Sequence, residues 1–136
     1  MEKYINAELL ISAALDARDN AYAPYSNFFV GAAIETKDGK IYNGCNIESA
    51  SFSGTICAER VALTKAVSEG ETKFSAIAIV GGGEEGITDY CAPCGICRQM
   101  LAEFCDDDMP VILAKSLDDY EMTTLGELLP KAFRAF

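Results

Sequence analysis

Histidine is absent from this chain. Its absence closes off Ser-His-Asp and Cys-His catalysis and removes imidazole from the available metal ligands. A general base must then be a carboxylate, a lysine, a tyrosine or a metal-bound hydroxide. Basic residues are scarce: 11 lysines and arginines stand against 21 aspartates and glutamates, a formal charge of -10 that repels polyanions. Tight nucleic-acid binding is disfavoured, and a small neutral substrate suits such a surface better. Long hydrophobic runs are missing too, so no segment is expected to span a bilayer and no membrane partner is expected. The start, Met1-Glu2-Lys3-Tyr4, lacks the basic head and apolar stretch of a signal peptide, and a cytoplasmic location is expected. No repeat, low-complexity tract or linker interrupts the 136 residues, so a single domain over 1–136 with a real hydrophobic core is expected.

What is present is periodic. Leu9, Leu10, Ala13, Ala14, Ala17 and Ala21 recur at helical spacing and predict an amphipathic helix over Ile5 to Ala21. Tyr22 to Asn27, with Pro24, reads as a loop. Phe28 to Glu35 and Lys40 to Asn46 predict two strands joined by a hairpin turn at Asp38-Gly39, where positive φ is easily taken. After a loop over Ile47 to Ile56, Cys57 to Glu69 predicts a helix with Ala62, Leu63, Ala66 and Val67 on its apolar face, ended by Gly70. Phe74 to Val80 is an apolar run suited to a buried central strand, and Gly81 to Gly86 reads as a flexible loop. Cys94 to Phe104 predicts a helix, Pro110 to Lys115 and Tyr120 to Thr123 predict strands, and Thr124 to Leu129 predicts a short last helix. Strands alternating with helices argue for an α/β fold, a three-layer α/β/α sandwich around the five strands. Helices that start where strands end place their N-termini along one edge of the sheet.

Six cysteines in a chain expected in the cytosol point to metal or catalysis before disulfides. Two motifs carry the chemistry: Cys57-Ala58-Glu59 and Pro93-Cys94-Gly95-Ile96-Cys97. Cys94 and Cys97, at i and i+3 on a first helical turn, share a face, and Cys57 begins another helix. Each helix N-terminus favours a thiolate through its dipole and free amides. Three thiolates leave a tetrahedral zinc one open position, where a water can be activated, and Glu59 is the proton carrier that water needs. Three thiolates and a divalent zinc sum to one negative charge, so an offset is required, and Arg60 is the first side-chain candidate. Blander readings stand beside this one. Cys91 could close the site as a fourth ligand, or Cys91, Cys94 and Cys97 could hold an iron–sulfur cluster, or Cys94 and Cys97 could form a redox dithiol. Cys45 and Cys105 are most simply small core residues, and Arg98 and Gln99 could be plain helix surface. Asp106 to Asp108 reads as a solvated helix end.

Cys57-Ala58-Glu59 with Pro93-Cys94-Gly95-Ile96-Cys97 resembles the zinc-dependent nucleobase and nucleoside deaminases, in which zinc activates water and a glutamate shuttles protons. Ala23 to Ala33, Gly44-Cys45-Asn46-Ile47-Glu48, Arg98-Gln99 and Leu128 to Phe133 extend the likeness over nearly the whole chain, to the small tetrameric cytidine deaminases. The resemblance implies a mixed five-stranded sheet, one zinc ion per subunit, and attack of zinc-bound hydroxide on C4 of cytidine or deoxycytidine, with Glu59 moving the protons. It also implies uridine or deoxyuridine and ammonia as products, in pyrimidine salvage. Asn46 and Glu48 would bond the ribose 3′-hydroxyl, Phe28 would pack on the nucleoside, and the Ala58 amide would bind the base carbonyl. Phe133 would reach the base from a neighbouring subunit of a homotetramer. Two features depart from the pattern: Phe52 stands where relatives often carry tyrosine, and the segment ending at Phe136 is shorter than in many of them. Rival expectations are an aminonucleoside deaminase of blasticidin type and, in a different class, a structural zinc module that binds a protein partner.

Overall fold

The computed structural model describes residues 6–134. A first helix, α1 (Ala7–Arg18), precedes a hairpin of β1 (Phe29–Thr36) and β2 (Ile41–Cys45). Then follow α2 (Ala58–Ser68), β3 (Phe74–Gly82), α3 (Gly95–Phe104), β4 (Pro110–Ala114), β5 (Tyr120–Thr124) and the one-turn α4 (Leu125–Leu128). The strands form one five-stranded sheet in the order β2-β1-β3-β4-β5. Only β3 and β4 run parallel; the other three pairings are antiparallel, so the sheet is mixed as expected.

Alternation along the strands sorts the core into two faces. Val30, Ala32, Ile34, Ile77, Ile79, Val111 and Leu113 pack against Ala62, Leu63 and Ala66 of α2 and Leu101 of α3. On the opposite face Ala33, Ala76, Ala78, Val80, Ile112 and Ala114 meet Leu10, Ile11 and Ala14 of α1. Three layers result. The α1 face is made of small residues for a reason: a Cβ on Gly31 would sit 1.9 Å from the Ala14 carbonyl oxygen, so helix and strand touch backbone to backbone. Gly44 does the same for α2, where a Cβ would come within 2.7 Å of the Ala62 nitrogen.

Several boundaries differ from those read in the sequence. In α1 the buried stripe runs through Leu10, Ile11, Ala14 and Ala17, while Leu9 is about half exposed at 52%. Ile5 lies outside the described residues. Asn6 caps the helix, its side chain accepting from the Leu9 amide at 3.1 Å. Gly81 and Gly82 are not loop: β3 continues through them, because β1 pairs Val30 with Gly81 and Phe29 with Gly82. Gly83 and Gly86 then close a tight turn. Gly39 takes φ +94° in the β1–β2 turn, and Gly70 takes φ +96° after α2. Cys105 is buried as expected, whereas Cys45 at the sheet edge is only half-buried. The acidic stretch after α3 is not merely solvated: Asp107 pairs with Arg134 at 2.6 Å, and Arg134 also donates to the carbonyls of Ala102 and Cys105.

Candidate active site

Because β1 is antiparallel to both β2 and β3, the last two run the same way, and their C-terminal ends share one edge of the sheet. The chain leaves β2 toward α2 and leaves β3 toward α3, so both helices start at that edge. Cys57 and Cys94 sit one position earlier than the sequence suggested. Each is the N-cap residue of its helix, with extended backbone, rather than its first helical residue. An N-cap side chain points over the first turn toward the free amides. Accordingly the Cys94 sulfur accepts from the Cys97 amide at 3.5 Å.

The three sulfurs converge. Cys57 Sγ lies 3.5 Å from Cys94 Sγ, which lies 3.3 Å from Cys97 Sγ, and all three fall within 4.8 Å of one another. Tetrahedral zinc with Zn–S bonds of about 2.3 Å sets sulfurs about 3.8 Å apart, so the separations of 3.5 and 3.3 Å need to open only slightly to seat the ion. The donor set is also the right one: thiolates suit zinc, and three of them leave a fourth position open. Cys91 does not join the group. Its sulfur packs against the backbone of β3 at Gly81, which disfavours both a closed four-cysteine site and an iron–sulfur run through Cys91.

Hydrogen bonding from Cys97 holds the Cys57 thiol at a pKa of about 5, helped by Arg60, whose Nη2 donates to Cys57 Sγ at 3.7 Å. Cys97, the partner that keeps the shared proton, is pushed upward by that bond and by burial. The Nε of Arg60 is buried and has no partner among the described residues. Glu59, on the first turn of α2, is 4% exposed, and burial raises its pKa, with the Cys57 thiolate adding to the rise.

A cavity of about 320 Å³ opens beside this cluster. Cys57, Ala58, Glu59 and Cys94 line it, together with Phe28, Val30, Asn46 and Glu48 and with Cys91 and Ala92. Phe28 is 43% exposed, so it is a wall residue rather than a core aromatic. Asn46 is buried, and its amide is largely engaged: Oδ1 accepts from the Val30 amide at 3.0 Å and Nδ2 donates to the Phe28 carbonyl at 2.9 Å. Glu48 accepts from the amides of Tyr25 and Ser26 at 3.0 and 3.1 Å and from Ser26 Oγ at 2.5 Å, and the Ser26 hydroxyl lowers its pKa. Phe133 is 63% exposed and lies outside its own chain's cavity lining, its carbonyl accepting from Gln99 Nε2 at 2.8 Å. Phe52, in the short 3-10 turn Phe52–Gly54, is 83% exposed. The sequence reading missed Val30, Thr55, Ile56 and Ala92 as lining residues, since the three apolar side chains carry no chemical signature and Thr55 lies in a segment that reads as plain loop.

Three convergent thiols at two helix N-termini, two of them lining a cavity together with a buried carboxylate, define a metallohydrolase-type centre. The model of the cytidine and deoxycytidylate deaminase zinc-binding region matches residues 5–113, and the chain belongs to that family. This family uses zinc, in agreement with the fit of the three sulfurs. The chain is 50% identical to the cytidine deaminase of Sporosarcina psychrophila, over 95% of this chain and 92% of that protein. It is 47% identical to the cytidine deaminase of Halalkalibacterium halodurans, over 96% of each. The crystal structure of cytidine deaminase from Burkholderia pseudomallei superposes with a TM-score of 0.86 at 46% identity, covering 95% of this chain and all (100%) of that one. Among the described residues no helix is long and apolar enough to cross a membrane.

Proposed function

We propose that the protein hydrolyses cytidine and deoxycytidine to uridine and deoxyuridine with release of ammonia, in pyrimidine salvage in the cytoplasm. The observation that carries this reading is the buried Glu59 carboxylate two residues from the three-sulfur cradle's Cys57, lining a cavity of about 320 Å³. Zinc bound by Cys57, Cys94 and Cys97 supplies a Lewis acid that lowers the pKa of water, making a nucleophile available at neutral pH. Glu59 handles the protons: it passes one from the water to ring N3, then takes the remaining one from the new C4 hydroxyl and delivers it to the departing amine. The C4–O bond forms, the C4–N bond breaks, and ammonia leaves. A carboxyl that must both accept and donate works best with a pKa raised toward neutrality, and burial acts in that direction here.

The remaining residues bind and orient. Ala58 lines the cavity, and its amide, on the free first turn of α2, suits the base carbonyl. Phe28 supplies an apolar wall for the nucleoside. Asn46 keeps one N–H and one lone pair beyond its two backbone bonds, and Glu48 keeps acceptor capacity, so both can meet the ribose 3′-hydroxyl. Arg60 offsets the excess negative charge of the thiolates through its bond to Cys57. The exposed rings of Phe28, Phe52 and Phe133 support assembly into a homotetramer in which Phe133 completes a neighbouring site. The test is direct: zinc-loaded protein is incubated with cytidine, and the ultraviolet change and ammonia are followed, with Glu59→Ala as control. Turnover in the wild type and its loss in the variant are expected; no turnover by the zinc-loaded wild type sinks the assignment.

A further inference from the structure

Residues 87–93 run from the turn after β3 to the start of α3 and supply one wall of the cavity through Cys91 and Ala92. Among the described residues, this segment makes no backbone–backbone hydrogen bond. A stretch without such bonds has little local stability of its own, so its position depends on side chains. At its end, Arg98 Nε donates to the Pro93 carbonyl at 2.7 Å, and Nη1 of the same side chain donates to the Leu128 carbonyl at 2.8 Å. In its middle, Tyr90 reaches across to the β4–β5 turn. Its hydroxyl donates to Asp119 Oδ1 at 2.7 Å, and the Lys115 ammonium sits 4.6 Å from the ring centroid. That turn is firm: the Lys115 and Ser116 amides donate to the Asp119 carbonyl at 2.8 and 3.3 Å, and Ala114 pairs with Tyr120 beside it. Next to Tyr90, Cys91 rests on the end of β3, where a Cβ on Gly81 would lie 2.8 Å from its sulfur.

We propose that Tyr90, held by Asp119 and Lys115, is a positioning residue that fixes the Cys91–Ala92 wall against the substrate. The inference rests on the nucleoside reading of this cavity. Tyr90 touches no reacting atom. It acts by selecting one placement of an otherwise unbonded wall, so its loss costs substrate binding rather than the chemical step.

Tyr90→Phe removes the hydroxyl and keeps the ring over Lys115. The expected result is a rise in KM for cytidine of about fivefold to tenfold with kcat within about twofold, as befits loss of a charge-assisted bond outside the reacting centre. Zinc content and thermal midpoint stay at wild-type values. Cys91 in the zinc-loaded protein is alkylated by iodoacetamide several-fold faster, read by peptide mass spectrometry. Asp119→Ala gives the same pattern, Asp119→Asn restores both readouts in part because its neutral amide oxygen still accepts, and the double variant Tyr90→Phe/Asp119→Ala is no worse than either single one. Unchanged KM and unchanged Cys91 labelling in Tyr90→Phe overturn the proposal, as does Asp119→Asn matching Asp119→Ala, or an activity loss that tracks zinc content. Should Tyr90→Phe fail to fold, the pair at exposed Asp119 decides the matter. A wild type inert toward cytidine overturns the nucleoside reading instead, and the labelling comparison still reports on the anchor.

Discussion

Asn46→Ala tests whether one side chain serves both the scaffold and the substrate. The amide of Asn46 pins the start of β1, accepting from the Val30 amide at 3.0 Å and donating to the Phe28 carbonyl at 2.9 Å. Val30 is buried, so alanine leaves its N–H without a partner and out of reach of water. A buried donor left unsatisfied costs about 1–3 kcal/mol, and the part-buried Phe28 carbonyl adds about 1 kcal/mol, for a total near about 3 kcal/mol. With a urea m-value of about 2 kcal/mol/M, the unfolding midpoint falls by about 1.5 M. Asn46→Asp keeps the acceptor and loses the donor, so by the same figures it lowers the midpoint by roughly a third as much. The assay is urea unfolding of zinc-loaded protein at one fixed concentration, since metal and subunit association both contribute to apparent stability. Turnover falls in both variants, because Phe28 and Val30 line the cavity that the pin shapes. An unchanged midpoint in Asn46→Ala, with only KM raised, would refute the scaffold role and leave Asn46 as a substrate contact alone.

Arg60→Gln removes the cation beside Cys57 Sγ; kcat/KM is expected to fall about tenfold or more and the pH–rate profile to move, and an unaltered profile dismisses charge compensation. Gly31→Ala places a methyl 1.9 Å from the Ala14 carbonyl oxygen, so α1 must lift off the sheet; a wild-type thermal midpoint in this variant contradicts the close helix–strand contact. Burial pushes the Cys105 thiol up to about 12 from an ordinary 9.0. Above pH 9 the unfolded chain therefore ionises this thiol while the folded one keeps its proton, so stability is full below that pH and declines as pH rises toward 12. In Cys105→Ala part of that decline disappears, as measured by denaturant midpoints between pH 8 and roughly pH 11; identical slopes in both proteins sink the account.

The elements that carry chemistry were legible early because their signals are local. A cysteine with a glutamate two residues on at a helix start, and a Pro-Cys-x-x-Cys turn, state their geometry within one helical turn. The sheet was legible through β-branched and alternating residues. Gly81 and Gly82 were misread because glycine has no strand signature; pairing with Phe29 and Val30 across the sheet, not local preference, extends β3. Leu9 was misplaced because hydrophobic spacing alone does not distinguish two adjacent leucines when only one meets the sheet. Asn46 and Glu48 were read as substrate contacts, and the fold shows that both also tie loop backbone together, Asn46 at Phe28 and Val30 and Glu48 at Tyr25 and Ser26.

By itself, the sequence determined the ligand type offered to a metal and the class of fold, and it singled out Glu59 as the candidate for proton transfer. With no histidine, only thiolates and carboxylates remain to hold zinc, the short-spaced cysteines favour thiolates, and residue types and short spacings do not depend on what lies across the molecule. Tertiary structure alone decided that Cys57 meets Cys94 and Cys97, that Cys91 lies against β3 instead of among the ligands, and that Glu59 is buried beside them. It also decided that Tyr90 hangs a cavity wall from the β4–β5 turn. These are contacts between segments remote in the chain. They depend on strand order and on how closely α1 and α2 settle on Gly31 and Gly44, which no local pattern encodes.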